Sequence, residues 1–237
     1  MTRLLRFLLG VGSLWLAATC LSVSWAQDRR LDPARIELPA AGSGPLLVLF
    51  TGADGVYSHL DQAKAFGREG WIVAVVDGSE ALIDPASEVR TLVQRALARP
   101  EARSRKAAVV GYSRGGWLVL AYANRMPDLV AAAVAFYPST SAIFDPKAFL
   151  ASPVVGAPTL VLAGARDTYM DCCLIGRARA LAAAAALPES RAPLELVEYA
   201  DADHGFMLPA YPPVYRPTDA ADAFRRANEH LRKFRYD

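Results

Sequence analysis

The sequence predicts an α/β protein in which a mostly parallel sheet carries helices on both faces. Two observations support this prediction. Short apolar runs alternate along the chain with segments whose apolar residues recur at helical spacing. Several of the short runs are apolar at every position, which is typical of parallel strands buried on both faces. Ligands bind such sheets at the carboxyl ends of the strands, so the turns that follow the strands are where a site is expected.

The predicted strands are apolar runs bounded by turn residues. A Gly-rich turn over residues 51–55 follows the first buried strand, Pro138 closes a later one, and Pro158 precedes another. An edge strand is expected near residues 35–38. Buried strands are expected over residues 46–50, 71–76 and 107–110, and further strands over residues 129–137, 159–163 and 194–199.

The predicted helices each carry an apolar stripe on one side. In the second helix this stripe is made of Val89, Leu92, Val93, Ala96 and Leu97. The Ala-rich stretch near residue 180 is interpreted as a simple helix. The helices are expected over residues 59–68, 85–98, 117–123, 174–187 and 219–234.

The first 26 residues have the pattern of a secretory signal peptide. Arg3 and Arg6 precede an apolar run, and Ser24-Trp25-Ala26 places small residues where a signal peptidase reads them. We therefore expect cleavage after Ala26 and export to the periplasm or the medium, with no stable membrane span after processing. The alternative is that the segment stays as a membrane anchor, for which the apolar run is short.

Residues 27–237 are expected to form a single domain. The chain has 237 residues, of which 53% are hydrophobic, and this is ample for the core of one α/β domain. Its formal net charge of +2 predicts neither nucleic-acid binding nor attachment to an acidic membrane surface.

Two adjacent cysteines, Cys172 and Cys173, remain after processing. A disulfide between neighbours brings its Cα atoms closer than a relaxed bridge, so free or partly buried thiols are the favoured interpretation. A vicinal disulfide that stiffens the loop is the alternative. Neither further thiols nor a His lie nearby at ligand spacing, so no metal site is predicted.

The motif Gly111-Tyr112-Ser113-Arg114-Gly115 lies between a predicted strand and a predicted helix. Gly-x-Ser-x-Gly in that context forms a sharp turn that raises the serine hydroxyl above the sheet, and the glycines avoid clashes with strand and helix. Ser113 is therefore the candidate nucleophile.

A serine nucleophile needs a base, and the sequence contains three histidines. His204 follows the last strand and precedes Gly205, so it is the candidate base. His230 falls inside the closing helix, where a partly exposed surface residue is expected. His59 begins a helix, and a capping or surface role is favoured over one in the pocket wall.

The imidazolium that forms during attack needs a carboxylate partner. Asp167 follows the strand over residues 159–163 and is the candidate, with Asp171 in the same loop as its main rival. Asp201 and Asp203 lie too close to His204 along the chain for the usual approach to Nδ1. The order Ser113, Asp167, His204 is that of α/β-hydrolases.

The predicted oxyanion hole consists of two backbone N–H groups, from Arg114 after the nucleophile and from Ala53 in the first turn. A carboxylate near an oxyanion is repulsive, so Asp54 is expected to point away and cap the turn. The less favoured alternative is that it grips a cationic substrate. Further candidates for the pocket wall are Asp54 itself and three aromatic residues, Tyr112, Trp117 and Tyr137. Trp117 is also expected to pack the helix after Ser113 against the sheet.

These motifs together resemble the dienelactone hydrolase family of α/β-hydrolases. The resemblance rests on residues 111–116, the strand end at residues 135–138, Gly164-Ala165-Arg166-Asp167 and His204-Gly205-Phe206, and it extends over residues 46–234. It implies hydrolysis of esters or lactones through an acyl-enzyme. The founding members are cytosolic and use a cysteine nucleophile, whereas this chain has Ser113 and a predicted export signal. The resemblance therefore supports the chemistry more than a dienelactone substrate.

The sequence thus predicts an exported serine hydrolase that cleaves a small carboxylic ester or lactone and needs no cofactor. One alternative is a peptidase or amidase that uses the same three residues. The other is a binding protein that keeps the fold without catalysis.

Overall fold

A computed structural model describes residues 31–80, 82–141, 143, 156–188 and 193–235. The predicted signal peptide and its cleavage site lie outside these residues. Among the residues that the structure describes, no helix has the length and apolarity needed to cross a bilayer.

Within the residues just named, seven strands form one mixed sheet in the order β1-β3-β2-β4-β5-β6-β7. Strand β1 is antiparallel to β3, and all the other neighbours are parallel. The strands are β1 (Arg35–Glu37), β2 (Leu46–Phe50), β3 (Ile72–Val76), β4 (Ala107–Tyr112), β5 (Val130–Phe136), β6 (Thr159–Gly164) and β7 (Leu194–Tyr199).

In the described part of the chain, five α-helices cover the two faces of the sheet, which confirms the predicted α/β architecture. They are α1 (Leu60–Arg68), α2 (Pro85–Leu97), α3 (Arg114–Ala121), α4 (Ile175–Ala185) and α5 (Pro217–Arg232). The helices α1 and α5 pack on one face, and the other three pack on the opposite face.

Strand β2 shows how the core is divided between the two faces. Leu47 and Leu49 pack against the face of α1 and α5, whereas Leu46, Val48 and Phe50 pack against the other face. All five side chains are completely buried. Because neighbouring side chains of a strand point to opposite faces, a strand covered on both sides must be apolar throughout.

The chain changes direction across the sheet between β2 and β4. From β2 it adds β3 on one side, and it then returns to place β4 on the other side. A crevice forms at the carboxyl ends of strands where the order reverses in this way. The turns after β2 and β4 both open into it.

Candidate active site

Ser113 lies on the sharp turn between β4 and α3. Its backbone has φ 52° and ψ −113°, a region that residues other than glycine rarely adopt. The helix begins at Arg114, immediately after the serine, and not at residue 117 as predicted. Tertiary contact at this turn outweighs the low helix propensity of Gly115 and Gly116.

The glycines of the motif are required by close approach of the backbone. A Cβ atom on Gly111 would lie 2.2 Å from the carbonyl oxygen of Gly115. A Cβ atom on Gly115 would lie 2.2 Å from the Phe50 oxygen and 2.5 Å from the Thr51 oxygen. These contacts pack the start of α3 directly on the end of β2, which holds Ser113 above the sheet.

Gly115→Ala is therefore expected to lower the free energy of unfolding by about 3 kcal/mol, because backbone atoms must move to admit the methyl group. Urea unfolding followed by circular dichroism measures the loss. Gly176→Ala is the matched control, since no atom lies within 4 Å of its added Cβ in α4, and it should not destabilise the protein. Equal stability of the Gly115→Ala variant and the wild type would contradict this close packing.

The structure brings Ser113, His204 and Asp167 into one hydrogen-bonded chain. Ser113 Oγ donates to His204 Nε2 over 2.9 Å, and His204 Nδ1 donates to Asp167 Oδ2 over 2.8 Å. The Asp167 side chain is fully buried, whereas that of His204 is 14% exposed. Gly205, at φ 77°, provides the left-handed turn that follows the histidine.

The rival carboxylates are not in contact with His204. Asp171 is exposed, and Asp201 forms an ion pair with Arg166 at 2.7 Å. Asp167 has its second oxygen occupied as well, since Oδ1 accepts the N–H of Tyr169 over 3.1 Å. This bond fixes the rotation of the carboxylate that meets the imidazole.

Two tyrosines hold the imidazole ring of His204 in place. Tyr169 stacks on it with ring centroids 4.6 Å apart and an angle of 7° between the planes. Tyr137 meets it edge-on, with centroids 4.9 Å apart. Burial raises the pKa of the Tyr137 phenol, so this residue stays neutral at physiological pH.

Cys172 and Cys173 form a disulfide, so the favoured interpretation as free thiols is wrong. The two cysteines lie at the end of the loop that begins at Asp167. The Cys172 carbonyl accepts the N–H groups of Thr140 and Ser141 at 2.9 and 3.0 Å. Cys173 is buried, and its sulfur lies within 4.8 Å of ligand atoms of Asp167 and His204. The disulfide therefore lies directly beside the Asp167–His204 pair.

Replacing both cysteines by alanine is expected to lower kcat roughly tenfold, because a displacement of the Asp167 loop of less than 1 Å disturbs the imidazole contact. Stability should change by only about 1 kcal/mol, since a bridge between neighbours closes almost no loop. Ester hydrolysis and urea unfolding measure the two effects. Reductant should slow the wild type and leave the double variant unaffected. Full activity of the double variant would contradict a role for the bridge in holding this loop.

Two backbone N–H groups near Ser113, those of Ala53 and Arg114, have no backbone acceptor outside the helices and strands among the described residues, and the first N–H groups of a helix have none within it. Ala53 lies in the turn after β2, and Arg114 begins α3. The Arg114 side chain turns away and donates to the carbonyls of Ser79 and Glu80, both at 3.1 Å. The backbone N–H of Arg114 lies at the N-terminus of α3, and this positive end of the helix dipole attracts negative charge.

Ser113 opens into a cavity of about 360 Å³. Its wall contains the two candidates Asp54 and Tyr137 together with residues of the loops after β6 and β7. The lining residues are Ala53, Asp54, His59, Ser113, Tyr137, Tyr169, His204, Gly205, Leu208, Tyr211, Pro213 and Val214. A larger groove of about 700 Å³ lies at the amino ends of β2 and β3, away from every predicted site residue.

Tyr112 and Trp117 do not line the cavity, contrary to the prediction. Tyr112 is the last residue of β4, and its fully buried ring stacks on Phe136 beneath the site. Trp117 lies one turn into α3, where it packs on the core and against Tyr122. It does pack the helix against the sheet, as expected.

His59 is a wall residue that the sequence analysis assigned to a cap or the surface. Its side chain is 1% exposed and packs against the Tyr112 ring, and its Nδ1 donates to the Gly55 carbonyl over 3.2 Å. Burial lowers the pKa of His59, so the ring is neutral at pH 7. The other histidine, His230, is half-buried in α5 and donates to the Pro158 carbonyl.

Asp54 faces the cavity, and the expectation that it points away is wrong. Its Oδ2 accepts a hydrogen bond from the Tyr211 hydroxyl at 3.3 Å, and its side chain is 21% exposed. Tyr211 and Tyr169 are wall residues that the sequence analysis missed. Both lie in loops after strands, near His204 and Asp167 respectively, and that position is the one signal that could have identified them.

Solved structures of the same fold cover most of the chain. A dienelactone hydrolase-like protein from Klebsiella pneumoniae is 22% identical, with a TM-score of 0.66 over 82% of this chain and 89% of that one. A dienelactone hydrolase-like promiscuous phosphotriesterase from metagenomic libraries is 16% identical, with a TM-score of 0.67, and the match covers 84% of this chain and 91% of that one. A thermophilic esterase from Thermogutta terrifontis, solved with propionate, is 19% identical, with a TM-score of 0.59 over 84% and 88%.

These likenesses establish the fold, and the family follows from the sequence. No curated protein matches the chain. The sequence model of the dienelactone hydrolase family, in contrast, matches residues 80–235, which include β4 and every strand after it. Since this match extends over more than half of the chain, the protein belongs to the dienelactone hydrolase family.

Proposed function

We propose that the protein is a serine hydrolase that cleaves a small carboxylic ester or lactone through an acyl-enzyme. The observation that supports this most strongly is the chain of hydrogen bonds from Ser113 through His204 to Asp167. Ser113 lines a cavity of about 360 Å³, which is within the range of pockets for small molecules. Membership of a hydrolase family and the esterase among the similar structures agree with the proposal.

In the first half-reaction the Ser113 oxygen attacks the substrate carbonyl while its proton passes to His204 Nε2. Asp167 holds the ring in the tautomer with Nδ1 protonated and stabilises the imidazolium. The N–H groups of Ala53 and Arg114 stabilise the negative charge on the carbonyl oxygen. The bond to the alcohol then breaks, the alcohol takes the proton from His204, and the acyl group remains on Ser113.

In the second half-reaction water attacks the acyl-enzyme. His204 takes a proton from the water, and the oxyanion forms again at the same two N–H groups. Collapse of this intermediate releases the carboxylic acid and returns the proton to Ser113. With a lactone, the alcohol and the acid released are two ends of one molecule.

An ester and an anilide with the same acyl group distinguish this proposal from an amidase or peptidase. The p-nitrophenyl ester and the p-nitroanilide of butyric acid are suitable, and we expect rapid turnover of the ester with little or none of the anilide. Faster hydrolysis of the anilide would favour the amidase. Failure to hydrolyse a panel of esters and lactones of varied acyl length would favour a binding protein.

We further propose that the protein acts outside the cytoplasm. Arg3 and Arg6 precede an apolar run and a small-residue site ending at Ala26, which is the pattern of a secretory signal. Expression of the full chain in a Gram-negative host, followed by fractionation and intact mass, tests this. A periplasmic or secreted product that begins at Gln27 is expected. A cytoplasmic product that retains Met1 would overturn it.

A further inference from the structure

Asp54 contributes a carboxylate to the wall of the cavity. Among the residues that the structure describes, no Lys or Arg lines this cavity. Its hydrogen-bond donor is the hydroxyl of Tyr211, a neutral group. The Asp54 side chain is 21% exposed, so a cation that enters the cavity can reach this carboxylate where water screens the attraction less than in bulk solvent.

The nearby histidine does not supply that positive charge. His59 Nδ1 lies 3.7 Å from Asp54 Oδ1, but its N–H donates to the Gly55 carbonyl. The His59 side chain is 1% exposed, and this burial lowers the pKa of its imidazole. At pH 7 His59 therefore presents a neutral imidazole to Asp54.

Asp54 lies close to the nucleophile. A Cβ atom added to Gly52 would be 2.5 Å from Asp54 Oδ1 and 3.5 Å from Ser113 Cβ. The carboxylate and the serine therefore lie on the same side of Gly52, a few ångströms apart. A group that binds Asp54 must be only a few bonds from the scissile carbonyl.

Tyrosine and aliphatic side chains form much of the rest of the wall. Tyr137, Tyr169 and Tyr211 contribute three rings, and Leu208 and Val214 contribute aliphatic surface. Rings of this kind attract ammonium groups, and an apolar surrounding strengthens the attraction to a carboxylate. An ammonium group that carries alkyl substituents suits both features.

We propose that the substrate of this enzyme carries an ammonium group a few bonds from its scissile ester, and that Asp54 together with the tyrosine rings binds it. This inference rests on the proposed function, because it names the substrate class of the same site. The cation can belong to the acyl part or to the alcohol part of the ester. The experiment therefore uses one pair of substrates for each case.

Isosteric ester pairs measure the preference for a positive charge. In the acyl arm, the p-nitrophenyl ester of γ-(trimethylammonio)butyrate is compared with its carbon isostere, in which a tert-butyl group replaces the ammonium. In the alcohol arm, acetylcholine is compared with its tert-butyl isostere. We expect kcat/KM to favour the cation in at least one arm by roughly 10- to 100-fold, the range for one ion pair in a partly water-excluded site.

Asp54→Asn keeps the size of the side chain and an acceptor for Tyr211, but it removes the charge. The cation-to-neutral ratio of kcat/KM should fall to about one in this variant, because the ion pair is lost. Asp61→Asn is the matched control, since Asp61 is 83% exposed on α1, and its ratio should equal that of the wild type. A wild-type ratio near one in both arms, or a ratio that Asp54→Asn leaves unchanged, overturns the inference.

These outcomes are separable from failure of the proposed function. If Ser113→Ala abolishes hydrolysis of the neutral esters while the wild-type cation-to-neutral ratio of kcat/KM is one, the serine hydrolase is supported and the cation site is rejected. If Ser113→Ala retains hydrolysis of every ester, the proposed function and the inference built on it both fall.

Discussion

Replacing Ser113 by alanine is expected to lower kcat toward an activated aryl ester by roughly 10⁴- to 10⁶-fold, the range seen when a serine nucleophile is removed. The Ser113 hydroxyl is the group whose oxygen reaches His204 Nε2 at the floor of the cavity. Without it no acyl-enzyme can form, and a residual rate comes from binding and the oxyanion donors alone.

The fold should survive this substitution. Alanine removes one partly buried hydroxyl and tolerates the φ of 52° about as well as serine does, so the free energy of unfolding should stay within about 1 kcal/mol. Ser87→Ala, on the exposed side of α2, is the matched control and should leave both kcat and stability unchanged. Steady-state kinetics and thermal unfolding measure the two quantities. Wild-type rates in Ser113→Ala would show that another group carries the reaction.

Asp167→Asn is expected to lower kcat by about 10⁴-fold, as loss of the carboxylate does in other serine hydrolases. The structure gives the reason. The oxygen that accepts the Tyr169 N–H would keep that bond, so the new amide NH₂ would face His204 Nδ1. The imidazole would then carry its proton on Nε2 and could not accept the proton of Ser113.

Asp171→Asn is the matched control for this experiment. It lies in the same loop and was the rival candidate in the sequence, but its side chain is exposed and makes no contact with His204. Its kcat should equal that of the wild type. If Asp171→Asn loses activity and Asp167→Asn retains it, the assignment of the carboxylate is wrong.

The buried strands could be predicted closely from the sequence because burial on both faces leaves a continuous apolar run. Strand β2, which is buried at every position, has the predicted bounds Leu46–Phe50. Strand β7 also has the predicted bounds, Leu194–Tyr199, although it is an edge strand in which only the last residue is buried. The helix ends were less accurate. Helix α3 begins three residues earlier than predicted, since its start is set by the close packing of Gly115 on β2 and not by propensity.

The positions of Ser113, Asp167 and His204 could be predicted because each lies in the turn or loop that follows a predicted strand. The direction in which a loop side chain points could not be predicted. Asp54 faces the cavity because its turn folds back over Gly52, and His59 is buried because it packs on the Tyr112 ring. Such directions depend on contacts between segments far apart in the chain, which local patterns do not encode.

The most direct test of the account is covalent labelling by a fluorophosphonate, which reacts with a serine that a neighbouring base has activated. We predict one adduct per chain by intact mass, located on Ser113 by peptide mapping. It should be absent from Ser113→Ala and strongly suppressed in His204→Ala. An unlabelled wild-type protein, or an adduct on a residue other than Ser113, would contradict the assignment of this serine as the nucleophile.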